Sequence, residues 1–374
     1  MIIHLVCAAR PNFMKIAPLY HALKKKPWAD PVIVHTGQHY DFNMSDAFFE
    51  NFGLPAPHIY LDVKSGTHAE QTGKVMMSYE KVLNDQRPDL VVVVGDVNST
   101  MAATIAASKM GITVAHLEAG LRSFDRTMPE EINRLVTDVL ADMLWTPSRD
   151  ASENLIREGI SPDKIHLVGN IMIDSLEMLR EKIESEETHR DFGLTAGGYG
   201  VVTLHRPSNV DDPVLLKKIC GILGEIAERV PLIFPIHPRT RRNMEENHLL
   251  SSLEGSGRLF LPEPLSYVRF MNLVFNCLFV ITDSGGIQEE TSYLGIPCLT
   301  VRKNTERPIT ITHGTNQLCE LDDVKRKTEE IVQGHVEKKK DIELWDGKTA
   351  ERIVDILQDL SIKIDNRETE VVRE

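Results

Sequence analysis

Leu90–Gly120 reads LVVVVGDVNSTMAATIAASKMGITVAHLEAG. An unbroken Val run ends in Gly95-Asp96, an Ala-rich stretch over Ser99–Lys109 follows at helical spacing, and a second apolar run, TVAHLE, ends in Glu118. A run of β-branched residues without polar alternation suits a strand buried on both faces. Strand, helix and strand in succession make a βαβ unit, which requires a parallel sheet.

The same rhythm extends both ways. Before it stand IIHLVCAA from Ile2 and VIVHTG from Val32; after it come MLWTPS from Met143 and IHLVGN from Ile165. A second series holds VVTLHR from Val201, LIFPIHP from Leu232, RLFLPEP from Arg258, LFVITDSGG from Leu278 and PCLTVR from Pro297. Between the series, the polar and then Gly-rich ESEETHRDFGLTAGGYG (Glu184–Gly200) breaks the pattern. The expected architecture is therefore α/β in two halves: 1–170, a connector over 171–196, and 197–347. A helix over Lys348–Leu360 and a charged, fraying end complete the chain.

The composition narrows the function. The 374 residues are 42% hydrophobic and 26% charged, with net charge −13, which fits a globular chain of two domains. An acidic chain lacks the basic footprint that nucleic acid or an anionic membrane demands, so neither partner is expected. No run reaches the length of a membrane span, and the N-terminus reads as a buried strand with no basic region before it. Five widely spaced cysteines (Cys7, Cys220, Cys277, Cys298, Cys319) form no CxxC pair and read as small buried hydrophobes of a reducing cytosol.

In open parallel sheets, ligands bind beyond the carboxyl ends of the strands. Here Arg10, Asp96, His116, Glu118, His205, Arg206, His237, Asp283 and Ser284 all fall at such ends, which suggests a cleft between two facing domains. DSGGIQEE (Asp283–Glu290) reads either as an anion-binding strand-to-helix turn or as a capped tight turn. Glu289 or Glu290 in its first turns suits a ribose. GxGxxG, GxxxxGK[ST] and GxSxG are absent, which removes the usual support for dinucleotide, P-loop and serine-hydrolase readings. Asp96, Glu118, Glu130 and Glu131 lack metal-type spacing. They either favour a helix terminus or serve acid/base chemistry, with Arg122 and Arg134 holding some of them ionised or binding substrate. His35 and His39 lie across a strand end, so no metal site is expected. Arg10, Lys15 and Arg307 add cations from both halves. The residues alone give a two-domain enzyme that binds a phosphorylated or nucleotide ligand and does acid/base chemistry without metal or redox cofactor.

Eight segments carry a closer resemblance: ARPNFMK (Ala9–Lys15), GDVNST (Gly95–Thr100), HLEAGLRS (His116–Ser123), PEEINR (Pro129–Arg134), GNIMID (Gly169–Asp174), HRPSN (His205–Asn209), TDSGGIQEE (Thr282–Glu290), and TERP with GTN (Thr305–Pro308, Gly314–Asn316). In this order they resemble the non-hydrolysing UDP-N-acetylglucosamine 2-epimerases. The resemblance implies the GT-B fold, two Rossmann-like domains across a cleft, with the C-terminal helix (348–374) crossing back to the first. It also implies a cytoplasmic homodimer without cofactor, and a UDP-sugar substrate. The implied reaction interconverts UDP-GlcNAc and UDP-ManNAc through elimination of UDP to a 2-acetamidoglucal and re-addition.

Carried over by position, Asp96, Glu118 and Glu130 match the family's catalytic carboxylates, and His205 its catalytic or phosphate-contacting histidine. Arg10, Ser284, Gly285, Gly286, Glu290 and Arg307 match UDP-binding positions; Lys15, Arg134 and His237 match further pocket positions. Thr36–Asp41, Gln71 and Arg206 fall where some members bind UDP-GlcNAc as an activator. The chain departs from the family pattern at Ala8-Ala9, Asn12, Ser208 and Ile309, the last three standing where acids are common. Alternative readings are an epimerase of a diacetamido-uronic acid type UDP-sugar, a hydrolysing epimerase, and a GT-B glycosyltransferase.

Overall fold

The structure is a computed structural model that describes residues 1–37, 50–250, 253, 257–336 and 341–371, with the side chains of Arg10 and of 363–371 outside the description. The chain divides into two compact units: Met1–Met178 with Glu343–Glu374, and Leu179–Ile342.

The first unit holds β1 (Ile2–Cys7), α1 (Arg10–Lys24), β2 (Asp30–His35), β3 (Ile59–Tyr60), α2 (His68–Asp85), β4 (Leu90–Val94) and α3 (Asn98–Lys109). β5 (Thr113–Leu117), α4 (Pro129–Leu140), β6 (Met143–Thr146), α5 (Arg149–Arg157), β7 (Ile165–Leu167) and the start of α6 (Ile171–Ser185) follow. Its seven strands run in the order β3-β2-β1-β4-β5-β6-β7. Every pair is parallel. The Val run of β4 is wholly buried, as its lack of alternation requires. Strand order reverses direction at β1 and β4, the switch point where ligands enter such sheets.

The second unit repeats the plan with β8 (Gly200–Thr203), α7 (Pro207–Val210), α8 (Pro213–Ala227), β9 (Leu232–Ile233), α9 (Pro238–Glu246), β10 (Leu259–Phe260), α10 (Tyr267–Phe275) and β11 (Phe279–Thr282). α11 (Gly285–Leu294), β12 (Cys298–Thr300), α12 (Ile309–Thr312), β13 (Asn316–Leu318) and α13 (Val324–Val332) complete it. The order is β10-β9-β8-β11-β12-β13, again parallel, with its switch point between β8 and β11.

Two edge strands escape the sequence reading. β3 has two residues and β13 three, too short to show a period. The last helix, α14 (Thr349–Val371), runs past the expected end at Leu360, since no Gly or Pro interrupts 361–371. It packs on α1 in the first unit. Asp174 caps it, accepting from the Thr349 and Ala350 N–H groups at 3.1 and 2.8 Å. Burial raises the Asp174 carboxyl above its ordinary value, and those two N–H groups work against the rise.

Gly169 and Gly159 both sit in the left-handed region, at φ +95° and +87°. A Cβ on Gly169 would collide with the Leu344 carbonyl oxygen, whereas one on Gly159 would meet open space. Gly159→Ala should therefore cost about 1–2 kcal/mol from backbone strain alone. Gly169→Ala should cost at least about 2 kcal/mol beyond that, as an overpacked site. Urea unfolding of the two variants checks the difference; equal losses would contradict the packing.

Candidate active site

The first unit gathers its acids where β4 and β5 end. Gly95 follows β4 with φ +68°, and a Cβ there would lie 3.3 Å from Lys15 Nζ and 3.6 Å from Glu118 Oε2. That left-handed turn passes beside the Lys15–Glu118 ion pair, which is itself nearly buried, and leads directly into Asp96. Glu118 has φ +73°, a strained conformation for a residue with a side chain. Its Oε1 is buried and meets no hydrogen-bond partner among the described residues. A buried carboxylate oxygen without a donor is costly, and such strain and unmet polarity collect at functional sites.

Helix α4 holds the other side. Arg134 donates to Asp96 Oδ2 through Nη2 at 2.9 Å and Nε at 3.1 Å. The Asp96 carboxylate stays about one-third exposed (34%). Asn133 donates to the Asp96 carbonyl at 2.8 Å. The adjacent acids of PEEINR separate in role. Glu131 is buried, ion-paired with Arg134, and accepts from Ser123 N–H, Ser123 Oγ and Phe124 N–H at 2.9–3.0 Å. It fastens the loop after β5. Glu130 is half-buried, and four residues before Arg134 it shares that residue's helix face.

Two expectations need correction. Arg122 does not face substrate. It is 1% exposed, binds Glu158 bidentately at 2.8 and 2.7 Å, and reaches Asp138 at 2.7 Å. His116, at a strand end, is fully buried between the Gly95 carbonyl and Asp138. Asn12 also has a physical reason. Its Oδ1 accepts from Ala8 and Ala9 N–H while its Nδ2 donates to the Val94 carbonyl at 3.1 Å, which a carboxylate could not do.

In the second unit the centre is Asp283, fully buried after β11. It accepts from His205 N–H at 3.0 Å, Arg206 N–H at 2.9 Å and Asn209 Nδ2 at 3.0 Å. Burial pushes its carboxyl up, but His205 and these donors outweigh burial and hold it below the usual carboxylate range. His205 Nδ1 lies 3.1 Å from Asp283, and its half-exposed ring sits 6.0 Å from that of His237. His237 caps α9 by accepting the Arg239 N–H at 3.2 Å. Its imidazole is lowered by burial first, then by the neighbouring His205 and Arg239.

Ser284–Gly286 lead into α11. A Cβ on Gly285 would press to 2.8 Å from Arg307 Nη1 and 2.9 Å from Glu306 Oε1, so any side chain there would displace that ion pair. A Cβ on Gly286 would meet nothing within 4 Å, which leaves its backbone open to an approaching group. Arg307 is ion-paired with Glu289 at 2.8 Å and Glu306 at 2.6 Å. Deeper in α11, Glu290 is buried and accepts from Tyr267 Oη at 2.6 Å. Burial pushes its carboxyl up to about 8 against that bond, and Glu289 adds to the rise. The structure thus brings together Lys15, Asp96, Glu118 and Arg134 in one unit, and His205, His237, Ser284–Gly286, Glu290 and Arg307 around the strand ends of the other. The Arg10 side chain and Gln38–Asp41 lie outside the described residues. The sequence reading missed Asp138 and Tyr267, whose partners are set by tertiary pairing, and Glu306, which pairs with the nearby Arg302 and Arg307.

A family match follows from the whole chain. Residues 21–358 match the family described as UDP-N-acetylglucosamine 2-epimerase. The chain belongs to the UDP-N-acetylglucosamine 2-epimerase family. One relative is the UDP-N-acetylglucosamine 2-epimerase of Methanocaldococcus jannaschii, 43% identical over 364 residues, 96% of this chain and 99% of that protein. A second is the UDP-2,3-diacetamido-2,3-dideoxy-D-glucuronate 2-epimerase of Pseudomonas aeruginosa, 41% identical over 317 residues, 84% of this chain and 86% of that one. The crystal structure of the Methanocaldococcus jannaschii UDP-GlcNAc 2-epimerase in complex with UDP-GlcNAc and UDP matches with a TM-score of 0.85, covering 96% of this chain and 99% of that one. The two parallel sheets described above are thus a 2-epimerase fold.

The Glu290 carboxyl of this family member gives a pH test. An unfolded Glu loses its proton near its ordinary 4.5, the folded one near 8. Between those values the native state binds the extra proton, so unfolding free energy falls as pH rises, by on the order of a few kcal/mol, and levels off above about pH 8. Glu290→Gln removes this loss. The stability of the variant minus that of the wild type, from urea unfolding at pH 5, 6.5 and 8.5, should grow with pH; a constant difference would contradict a neutral Glu290.

Proposed function

We propose that this chain interconverts UDP-N-acetylglucosamine and UDP-N-acetylmannosamine at C2 of the sugar. The reading rests on one observation above all: the strained, half-satisfied Glu118, paired with Lys15 next to the Gly95 turn that leads into Asp96, in a member of the 2-epimerase family.

The C2 proton of the substrate is not acidic, so its removal needs a leaving group at C1. One carboxylate takes the proton, the electron pair forms the C1=C2 bond, and the C1–O bond breaks to release UDP. The products are 2-acetamidoglucal and UDP, both held by the enzyme. A second acid then protonates C2 from the opposite face while UDP re-adds at C1, so no atom is gained or lost. Inversion at one carbon needs groups on two faces, which is the use proposed for Asp96, Glu118 and Glu130. Arg134 and Lys15 neutralise charge around them.

The second unit grips the leaving group. Open backbone at Gly286 and the N–H groups at the start of α11 suit a diphosphate. His205, steadied by Asp283, and His237 donate to it from β8 and β9. Glu290 with Tyr267 meets the ribose hydroxyls. The same proposal makes the protein a cytoplasmic homodimer.

A second substrate is favoured by the Pseudomonas aeruginosa relative, named for a diacetamido-glucuronate sugar, at an identity close to that of the first relative. Both sugars should therefore be assayed, and the larger kcat/KM assigns the substrate.

Proton NMR of UDP-GlcNAc with the protein in D2O tests the chemistry. Deuterium at C2 together with a ManNAc signal is expected. Accumulation of free UDP and free sugar would assign a hydrolysing enzyme instead. Asp96→Asn, Glu118→Gln and Glu130→Gln should each cut turnover by about 10²–10⁴-fold and keep UDP affinity within a few-fold. Isothermal titration with UDP separates the two effects; activity surviving in all three would remove the assignment.

A further inference from the structure

The acids of the first unit are not placed by their own strands alone. Asp138, on the third turn of α4, is 1% exposed and touches both strand β5 and the loop that follows it. Its Oδ1 lies 2.6 Å from His116 Nδ1. Its Oδ2 accepts from Gly120 N–H at 3.1 Å and pairs with Arg122 Nη1 at 2.7 Å. His116 continues the line: its Nε2 lies 2.8 Å from the Gly95 carbonyl. A carbonyl oxygen only accepts, so Nε2 is the donor there.

Each end of this chain of bonds lies next to a reacting acid. Gly95 precedes Asp96. Gly120 lies two residues past Glu118, in the turn whose backbone is strained at Glu118. A strained conformation persists only where its surroundings over-determine it. The Trp145 carbonyl restrains the turn at Glu118 and Ala119, accepting from both N–H groups at 3.1 Å; the Asp138 carboxylate adds its restraint at Gly120, and through His116 it holds the peptide that carries Asp96. This link adds to the direct bond between the two strand ends, in which Gly95 N–H donates to the Leu117 carbonyl at 3.1 Å.

Building on the proposed epimerisation, we infer that Asp138 is a positioning residue that sets the separation of Asp96 and Glu118 through the His116–Gly95 and Gly120 hydrogen bonds. It touches no substrate. Its contribution is to hold two acid/base groups in a fixed relation to one carbon, where a displacement of about 1 Å costs about 100-fold in rate.

Three variants test this. Asp138→Asn keeps the shape but cannot accept from both sides. His116→Gln places an amide where Nε2 stood and keeps a donor for the Gly95 carbonyl. His116→Leu fills the space without a donor. Each is assayed for epimerisation, for deuterium wash-in at C2, for UDP affinity and for unfolding midpoint. Asp138→Asn and His116→Leu should lower kcat and wash-in at least about 100-fold, with KM and UDP affinity within about threefold. His116→Gln should recover to within about tenfold of wild type.

Equal activity of the Gln and Leu variants, or losses that track the unfolding midpoint, would overturn the inference. So would insolubility of all three, which would make the network a folding element only. Wild-type turnover tests the function; the ratios between variants test the positioning. A crystal structure of His116→Leu adds a readout independent of substrate. The Gly95–Asp96 peptide should shift away from Glu118, and an unmoved peptide would overturn the inference.

Discussion

Two carboxylates packed near one another in a protein must either give up a charge to a proton or share a cation packed with them. In the first unit that cation is Arg134. Its guanidinium, 3% exposed, serves the loop-fastening Glu131 with one nitrogen and the candidate acid Asp96 with two others. A buried charge without a partner costs several kcal/mol, so the acids of this site and the arginine beneath them stand or fall together. The planar guanidinium suits this double role, because a fork of donors fixes direction as well as charge. Lys15 does the same for Glu118 from α1, so the acid cluster is held by cations from two helices.

The second unit solves the reverse problem. On the proposed reading it presents donors to a diphosphate while keeping its own acids from repelling it. Glu306 is buried between Arg302 and Arg307, which together outweigh burial and keep its carboxyl well below the ordinary value. Arg307 also neutralises Glu289, and Asp283 is spent on backbone N–H groups and Asn209. Three of the four acids near the Ser284–Gly286 turn are thus internally matched. Glu290, the fourth, is relieved of charge by burial. The turn is thereby spared the repulsion of these acids, although the chain as a whole is strongly acidic.

Much of this was legible in the linear chain. The Val run of β4 announced a doubly covered strand, and polar residues at strand ends marked where a site belongs. What the chain could not display was which polar residue met which partner. Glu130 and Glu131 are neighbours, yet a helix turns them about 100° apart, and one becomes a loop anchor while the other does not. His116 and Arg122 looked reactive because their partners, Asp138 and Glu158, lie 22 and 36 residues away. Tyr267 gave no signal at all; its hydroxyl reaches Glu290, 23 residues away, only in the folded chain. Edge strands of two or three residues carry too few positions for any period to emerge.

The first unit is also discontinuous. Its sheet is complete by β7, but its last helix lies beyond the whole of the second unit in the chain. During synthesis, Asp174 emerges about half a chain ahead of the Thr349 and Ala350 amides it accepts from, and α1 waits for nearly the whole chain before the helix that packs on it. Domains generally fold as they leave the ribosome, amino-terminal first. In this protein the first to appear is the last to be finished, and a chain that stops short of residue 349 leaves the surface of α1 bare.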